Sequence, residues 1–142
     1  MHTILFLCTG NYYRSRFCEY YFNHLAMQKA LNGRADSRGL ALERGQNNVG
    51  PISKYTRQGL LSHNIQLPDN LRFPLSLTVA DLNKADQVIA VDKTEHRPLM
   101  HARFPDWENK VDYWCVHDID QALPDDALKQ LENHIHDLIS RL

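Results

Sequence analysis

Residues 3–15 of this chain read TILFLCTGNYYRS. The apolar run at the start of this stretch predicts a β-strand over Thr3–Leu7. Gly10 and Asn11 then allow a tight turn, and Arg14 follows at the position where a helix is expected to begin. A strand, a short loop and a helix in this order predict the first unit of a parallel sheet that is covered by helices.

The loop from Cys8 to Ser15 has the composition of a loop that binds an oxyanion. The backbone N–H groups of residues 9–15 can point at one tetrahedral anion, and the helix that follows adds the positive end of its dipole. Arg14 can clamp two oxygens of that anion. The same positive field favours the nucleophilic thiolate form of Cys8, and the Ser15 hydroxyl can donate a hydrogen bond to it. The segment therefore predicts attack by Cys8 on a bound phosphoryl group.

Each of these residues also has an ordinary structural explanation. A free cysteine at a strand end is commonly a small core side chain. Cys18 and Cys115 have no arginine six positions later, which distinguishes Cys8 from the other two cysteines. Ser15 is also common as an early helical residue, and Asn11 as a turn residue with left-handed backbone geometry.

Length and composition agree with one domain over residues 1–142. The formal net charge is −1, which gives no reason to expect nucleic acid or a membrane surface as a partner. The first apolar run is short and has no basic leader, and no run approaches the length of a transmembrane helix. Three cysteines do not indicate an exported disulfide framework. These features predict a cytoplasmic protein.

Short apolar runs alternate with helical patterns along the chain, which predicts an α/β fold with a four-stranded parallel sheet between two helical layers. The predicted strands are Thr3–Leu7, Arg34–Ser37, Asp86–Val91 and Val111–Val116. The predicted helices are Ser15–Ala30, Ser53–Ser62, a short one begun by Thr78 and Asp81, Thr94–Ala102, and a last one from about Pro124. That last helix is expected to bury Leu128, Leu131, Ile135 and Leu138.

The motif Cys-x-Gly-Asn-x-x-Arg-Ser at residues 8–15 resembles the phosphate-binding loop of the low-molecular-weight protein tyrosine phosphatases. That family shares its fold with thioredoxin-coupled arsenate reductases, and it carries the motif after a first strand, as here. Three later segments are similar to parts of the same family: Asp36–Gly39, Asn48–Gly50 and Ala85–Asp92. The resemblance runs along the whole chain and implies a single domain of this type.

The resemblance implies a cysteine-dependent phosphomonoester hydrolase, expected to be a protein tyrosine phosphatase, with phosphorylated proteins or small phosphomonoesters as substrates. Cys8 would form a cysteinyl-phosphate, and no metal or organic cofactor would be required. The implied phosphate-binding residues are Thr9, Gly10, Asn11, Tyr12, Tyr13, Arg14 and Ser15. Asn11, Ser15 and Ser37 would support the loop. The family histidine that joins this network has no clear match here, because the nearby position holds Arg72.

The family also provides an aspartate, usually followed by proline, that protonates the leaving group and then activates water. Asp118 falls at this position, but Ile119 replaces the proline. Asp120 is the competing candidate. The family's eukaryotic members wall the phosphotyrosine ring with aromatic residues that are missing here, and Tyr12 and Tyr13 either replace that wall or pack beneath the loop.

Two alternatives to the phosphatase stay open on the sequence. An arsenate reductase needs resolving cysteines, yet residues 66–110 contain none. Cys18 and Cys115 are both predicted to be core residues. A binding module that holds a phosphorylated partner without turnover would explain the missing proline. The histidines are not spaced as metal ligands, and His117 is expected to lie in solvent.

Overall fold

The computed structural model describes residues 1–142 and confirms the predicted α/β sandwich. Its strands are β1 (His2–Cys8), β2 (Gly33–Gly39), β3 (Gln87–Ala90) and β4 (Asp112–Tyr113). They form one parallel sheet in the order β2-β1-β3-β4. The α-helices are α1 (Arg14–Gln28), α2 (Lys54–Leu61), α3 (Val79–Lys84), α4 (Lys93–Arg103) and α5 (Pro124–Ser140).

Strand β1 lies in the middle of the molecule because both of its faces are apolar. Ile4 and Phe6 belong to the larger core cluster, which also contains buried side chains of α1, α2 and α5. Leu5 and Leu7 alternate with them and belong to a second cluster with residues of α3 and α4. A strand buried on both faces needs this near-continuous apolar run. The sheet is therefore covered by helices on both sides, which makes three layers.

Side chains at the helix ends explain where the shorter helices begin. The Thr78 hydroxyl accepts a hydrogen bond from the Asp81 backbone N–H, and the Asp81 carboxylate accepts one from the Thr78 backbone N–H, so α3 has the predicted capping box. Ser53 caps α2 and Asp92 caps α4 in the same general way. In α5 the four predicted leucine and isoleucine side chains are all buried.

The predicted fourth strand over Val111–Val116 is too long. Strand β4 has only two residues, and beyond it the chain forms an isolated antiparallel bridge with Asp92. Cys115 lies in that bridge and is exposed, so its prediction as a core residue is wrong. The alternation of side chains along this segment turns Val116 into the core and leaves Cys115 facing solvent. Cys18 is buried, as predicted.

The order of the strands locates the functional edge of the sheet. The chain crosses from β1 to β2 on one side and returns to place β3 on the other side of β1. In open parallel sheets, ligands bind at the carboxyl ends of the strands where the strand order reverses in this way. The loop that follows Cys8 lies at this edge. No helix of the fold combines the length and apolar character that crossing a bilayer requires.

Candidate active site

The loop between β1 and α1 surrounds the Cys8 thiol. Cys8 is 2% exposed, and its Sγ lies 2.9 Å from the Ser15 hydroxyl oxygen. No side chain caps the start of α1, and its first turn contains no acidic residue. The positive end of this helix therefore remains available to an anion bound in the loop.

Asn11 holds the loop in its curved shape. Its backbone φ is 50°, in the left-handed region that asparagine tolerates better than most residues. Its Nδ2 donates to the Ser15 hydroxyl at 2.8 Å and to the Ser37 hydroxyl at 2.9 Å. Its Oδ1 accepts from the Leu75 backbone N–H at 3.1 Å. A single buried side chain thus ties the loop to α1, to β2 and to the segment before α3.

Arg72 completes this network from the position where the sequence left the family histidine unmatched. One guanidinium nitrogen donates to Asn11 Oδ1 at 3.0 Å. Another donates to the Ser37 backbone oxygen at 2.9 Å and contacts the Glu19 carboxylate at 3.3 Å. The Ser37 hydroxyl in turn donates to Glu19 at 2.5 Å. Arg72 and Glu19 therefore complete the hydrogen-bond network that supports the loop.

The guanidinium of Arg14 is buried beneath the loop and is held on two sides. Arg14 is 1% exposed. Its Nη1 donates to the Val116 backbone oxygen at 2.9 Å, and its Nη2 donates to Glu95 Oε2 at 2.7 Å. The Nε atom is buried and has no acceptor in the protein. Two contacts thus fix the plane of the guanidinium, and the buried Nε is among the donors that remain for an oxyanion.

Glu95, at the start of α4, joins Arg14 to the loop. Its Oε2 also accepts hydrogen bonds from the Thr9 hydroxyl and from His96 Nε2, the latter at 2.9 Å. Partial burial raises the pKa of Glu95, but the hydrogen bond from His96, the charge of Arg14 and the hydrogen bond from Thr9 outweigh burial and lower it far below its usual value. Glu95 is therefore a carboxylate that anchors the arginine.

His96 is buried, and its ring orients the Glu95 carboxylate that holds Arg14. The Asp92 backbone N–H donates to His96 Nδ1 at 3.1 Å, so the ring proton sits on Nε2 and points at Glu95. Burial is the main cause of a lowered His96 pKa, which keeps the ring neutral. Sequence reasoning missed both Glu95 and His96. Their position shortly after β3 could have indicated them, because the carboxyl ends of parallel strands meet at the same edge of the sheet as the loop after Cys8.

The two candidate acids lie in different places. Asp118 lines a pocket of about 240 Å³ together with Cys8 and Arg14, and its Oδ2 is 3.5 Å from Arg14 Nη2. Asp120 does not line this pocket and lies in the adjoining cleft. His117, expected in solvent, is 42% exposed and lies 2.9 Å from the Asp92 carboxylate. No three His, Cys, Asp or Glu side chains form a metal-binding group.

The two tyrosines of the loop have different surroundings. Tyr12 lines the pocket, and its hydroxyl donates to the Val49 backbone oxygen at 2.5 Å. Tyr13 is 7% exposed and packs edge-on against Tyr55. Burial outweighs the nearby Arg14 charge and raises the Tyr13 pKa to about 12. Both tyrosines therefore line the pocket. The Tyr12 side chain is half-buried, whereas the Tyr13 ring is buried against Tyr55.

A family model described as low molecular weight phosphotyrosine protein phosphatase matches residues 3–133. The chain belongs to this family. Its members are hydrolases, and a cysteine at the end of β1, inside the phosphate-binding loop, fits their cysteine-based chemistry. The family match also disfavours the arsenate reductase.

Solved structures from several bacteria have the same fold. A low molecular weight protein tyrosine phosphatase from T. tengcongensis has a TM-score of 0.82 and 23% identity, with 100% of both chains covered. Vibrio vulnificus Wzb in complex with benzylphosphonate has a TM-score of 0.81 and 17% identity, with 99% of both chains covered. The YwlE arginine phosphatase of Geobacillus stearothermophilus has a TM-score of 0.76 and 21% identity, over 99% of this chain and 92% of its own. No curated protein matches the chain.

The contact between Glu95 and Arg14 predicts a loss of turnover when the carboxylate is neutralised. Glu95→Gln keeps the shape of the side chain but removes its charge, so the guanidinium loses its anchor. Because a hydrogen bond to a charged group is worth about 1.5–3 kcal/mol, kcat/KM for p-nitrophenyl phosphate is expected to fall about tenfold or more. Vanadate inhibition should weaken in parallel.

Glu108→Gln is the matched control. Glu108 also accepts from two side chains of α4, those of Arg97 and His101, but it touches no residue of the phosphate-binding loop. Its kcat/KM should stay within about twofold of the wild type, as for other substitutions away from the site. Equal activity of the Glu95→Gln and wild-type proteins would refute the anchoring role.

Proposed function

We propose that this phosphatase hydrolyses phosphomonoesters through a covalent intermediate on Cys8. The observation that carries the proposal is the arrangement around the thiol. The Ser15 hydroxyl lies 2.9 Å from the sulfur, and the free Nε donor of buried Arg14 belongs to the same loop. A thiolate with a hydrogen-bond donor beside it, beneath an oxyanion site, is the nucleophile that phosphoryl transfer needs.

The reaction has two balanced steps. In the first step, the Cys8 thiolate forms the sulfur–phosphorus bond while the bond from phosphorus to the leaving oxygen breaks, and Asp118 gives that oxygen its proton. In the second step, the Asp118 carboxylate takes a proton from water, the water oxygen bonds to phosphorus, and the thiolate leaves. Arg14 and the amides of residues 9–15 hold the other phosphoryl oxygens throughout.

The assignment of the acid to Asp118 is supported by its position in the pocket with Cys8. Asp120 lines the neighbouring cleft instead, which places it second. Ile119 occupies the position after Asp118, where the family usually has proline. The Asp118 carboxylate accepts from the Ile119 backbone N–H at 2.8 Å, a contact that a proline could not make, so this loop is held by a different local bond.

The walls of the pocket favour an aromatic phosphoester. Tyr12, Tyr55 and Ile119 line the space beside Cys8 and offer apolar surface to a flat ring. The T. tengcongensis relative is described as a tyrosine phosphatase and the Geobacillus stearothermophilus relative as an arginine phosphatase. Phosphotyrosine and phosphoarginine are therefore the substrates to compare. A cytoplasmic location stays a prediction from the sequence.

Arsenate reduction has little support in the cysteines of this chain. A resolving cysteine must act as a thiolate that can reach Cys8. Cys18 is fully buried, and burial together with the nearby Cys8 raises its pKa well above the usual value. Cys115 is exposed beyond β4 and does not line the Cys8 pocket.

Metal-free hydrolysis of p-nitrophenyl phosphate tests the proposed function. The wild-type protein is expected to turn the ester over, and vanadate should inhibit it because vanadate adopts the geometry of the transition state. Cys8→Ser should abolish turnover and leave the circular dichroism spectrum and melting temperature close to those of the wild type. A folded wild-type protein that binds vanadate without turnover would instead support the binding module.

The assignment of the acid predicts a dependence on the leaving group. Asp118→Asn cannot protonate the leaving oxygen, and general acid catalysis contributes about 10²- to 10⁴-fold. The loss in kcat/KM, which reports the first step alone, should therefore be largest for phenyl phosphates with poor leaving groups and small for p-nitrophenyl phosphate. Asp120→Asn is the control and should behave like the wild type. The reverse pattern would make Asp120 the acid.

A further inference from the structure

A second groove opens beside the pocket that contains Cys8. It has a volume of about 550 Å³ and lies between the Asn47–Val49 loop and the first turns of α2. Tyr12 and Tyr55 line both the pocket and the groove. A substrate whose phosphorylated side chain enters the pocket would therefore lay its neighbouring residues along this groove.

Two unpaired cations line the groove. Lys54 and Arg57 are both exposed, and neither takes part in any ion pair of the structure. Lys54 Nζ rests 5.2 Å from the centroid of the Tyr55 ring. No acidic residue lines the groove, and none occurs anywhere in residues 44–68. The positive charge of this surface is therefore not compensated locally.

The opposite side of the site carries the other sign of charge. The cleft beyond Asp118 is lined by the carboxylates of Asp92, Glu95 and Asp120, with Arg44 as its one arginine or lysine. Asp92 and Glu95 also lie against the buried Arg14 guanidinium, so Asp120 is the carboxylate of this side without an ion pair. Charge is thus distributed unevenly across the mouth of the site. Such an arrangement orients an acidic ligand, because its carboxylates are attracted to the groove and repelled by the cleft on the opposite side.

We propose that the groove binds an acidic side chain of a phosphorylated protein substrate, adjacent to the phosphorylated residue. This inference rests on the proposed function, since it describes the protein side of the same substrate. Exposed ion pairs contribute little individually and are screened by salt. Two cations are therefore expected to give about a three- to tenfold preference for acidic over basic flanking residues, and the preference should shrink as ionic strength rises.

Binding of phosphotyrosine peptides to the Cys8→Ser protein tests the groove without turnover. The peptides carry glutamate, alanine or lysine on one side of the phosphotyrosine and alanine on the other, with each side varied in turn, and fluorescence anisotropy gives their dissociation constants. On the side that enters the groove, the glutamate peptide should bind about three- to tenfold more tightly than the lysine peptide. Adding Lys54→Glu and Arg57→Glu should abolish or reverse this order. Glutamate at the start of a helix is favourable, so this variant should fold.

The control adds Lys29→Glu and Lys129→Glu to the Cys8→Ser protein, which changes the net charge by the same amount at exposed positions outside the groove. It should keep the preference for the glutamate peptide. The proposed role of the groove would be overturned by any of three results. These are equal binding of the glutamate and lysine peptides, an equal loss of the glutamate preference in both charge variants, and no binding of any peptide. Hydrolysis of p-nitrophenyl phosphate by the wild type reports separately on the phosphatase, because that ester has no flanking residues.

Discussion

The buried guanidinium of Arg14 is the constraint on which the site depends. Removing an arginine from water is costly unless polar or charged groups surround it. Here Val116 and Glu95 hold two of its nitrogens, whereas the buried Nε has no protein acceptor. An unsatisfied buried donor costs roughly 1–3 kcal/mol. A phosphoryl oxygen would remove that cost, so the contacts that orient the arginine also create its affinity for an oxyanion.

The parts of this arrangement that could be predicted are local in sequence. The β1 strand, its loop and α1 occupy residues 2–28 without interruption, so periodicity and turn residues were sufficient to place them. The helices with clear caps or apolar faces, such as α3 and α5, were predicted for the same reason. Strand β4 was predicted at the right place but too long, because the sequence around it contains enough apolar residues for a longer strand. Its end is set by the bridge between Asp92 and Cys115, a contact that no local pattern encodes.

The contacts around the loop depend on tertiary structure. Glu95 lies 81 positions from Arg14 in the chain, and the two meet only because β1 and β3 are neighbours in parallel register. Arg72 reaches Asn11 from a long connection without regular structure. The resemblance to the family left its position unmatched because the chain has an arginine there, and only the structure shows that this arginine pairs with Glu19.

Acid quenching during turnover of p-nitrophenyl phosphate, followed by peptide mapping, tests the chemistry of Cys8 most directly. A thiolate nucleophile must carry the phosphoryl group between the two steps. The phosphoryl group should therefore be found on the peptide that contains Cys8 and should be absent from the Cys8→Ser protein. Turnover with no phosphorylated enzyme at any quench time, or with the phosphoryl group on another side chain, would contradict a cysteine-based mechanism.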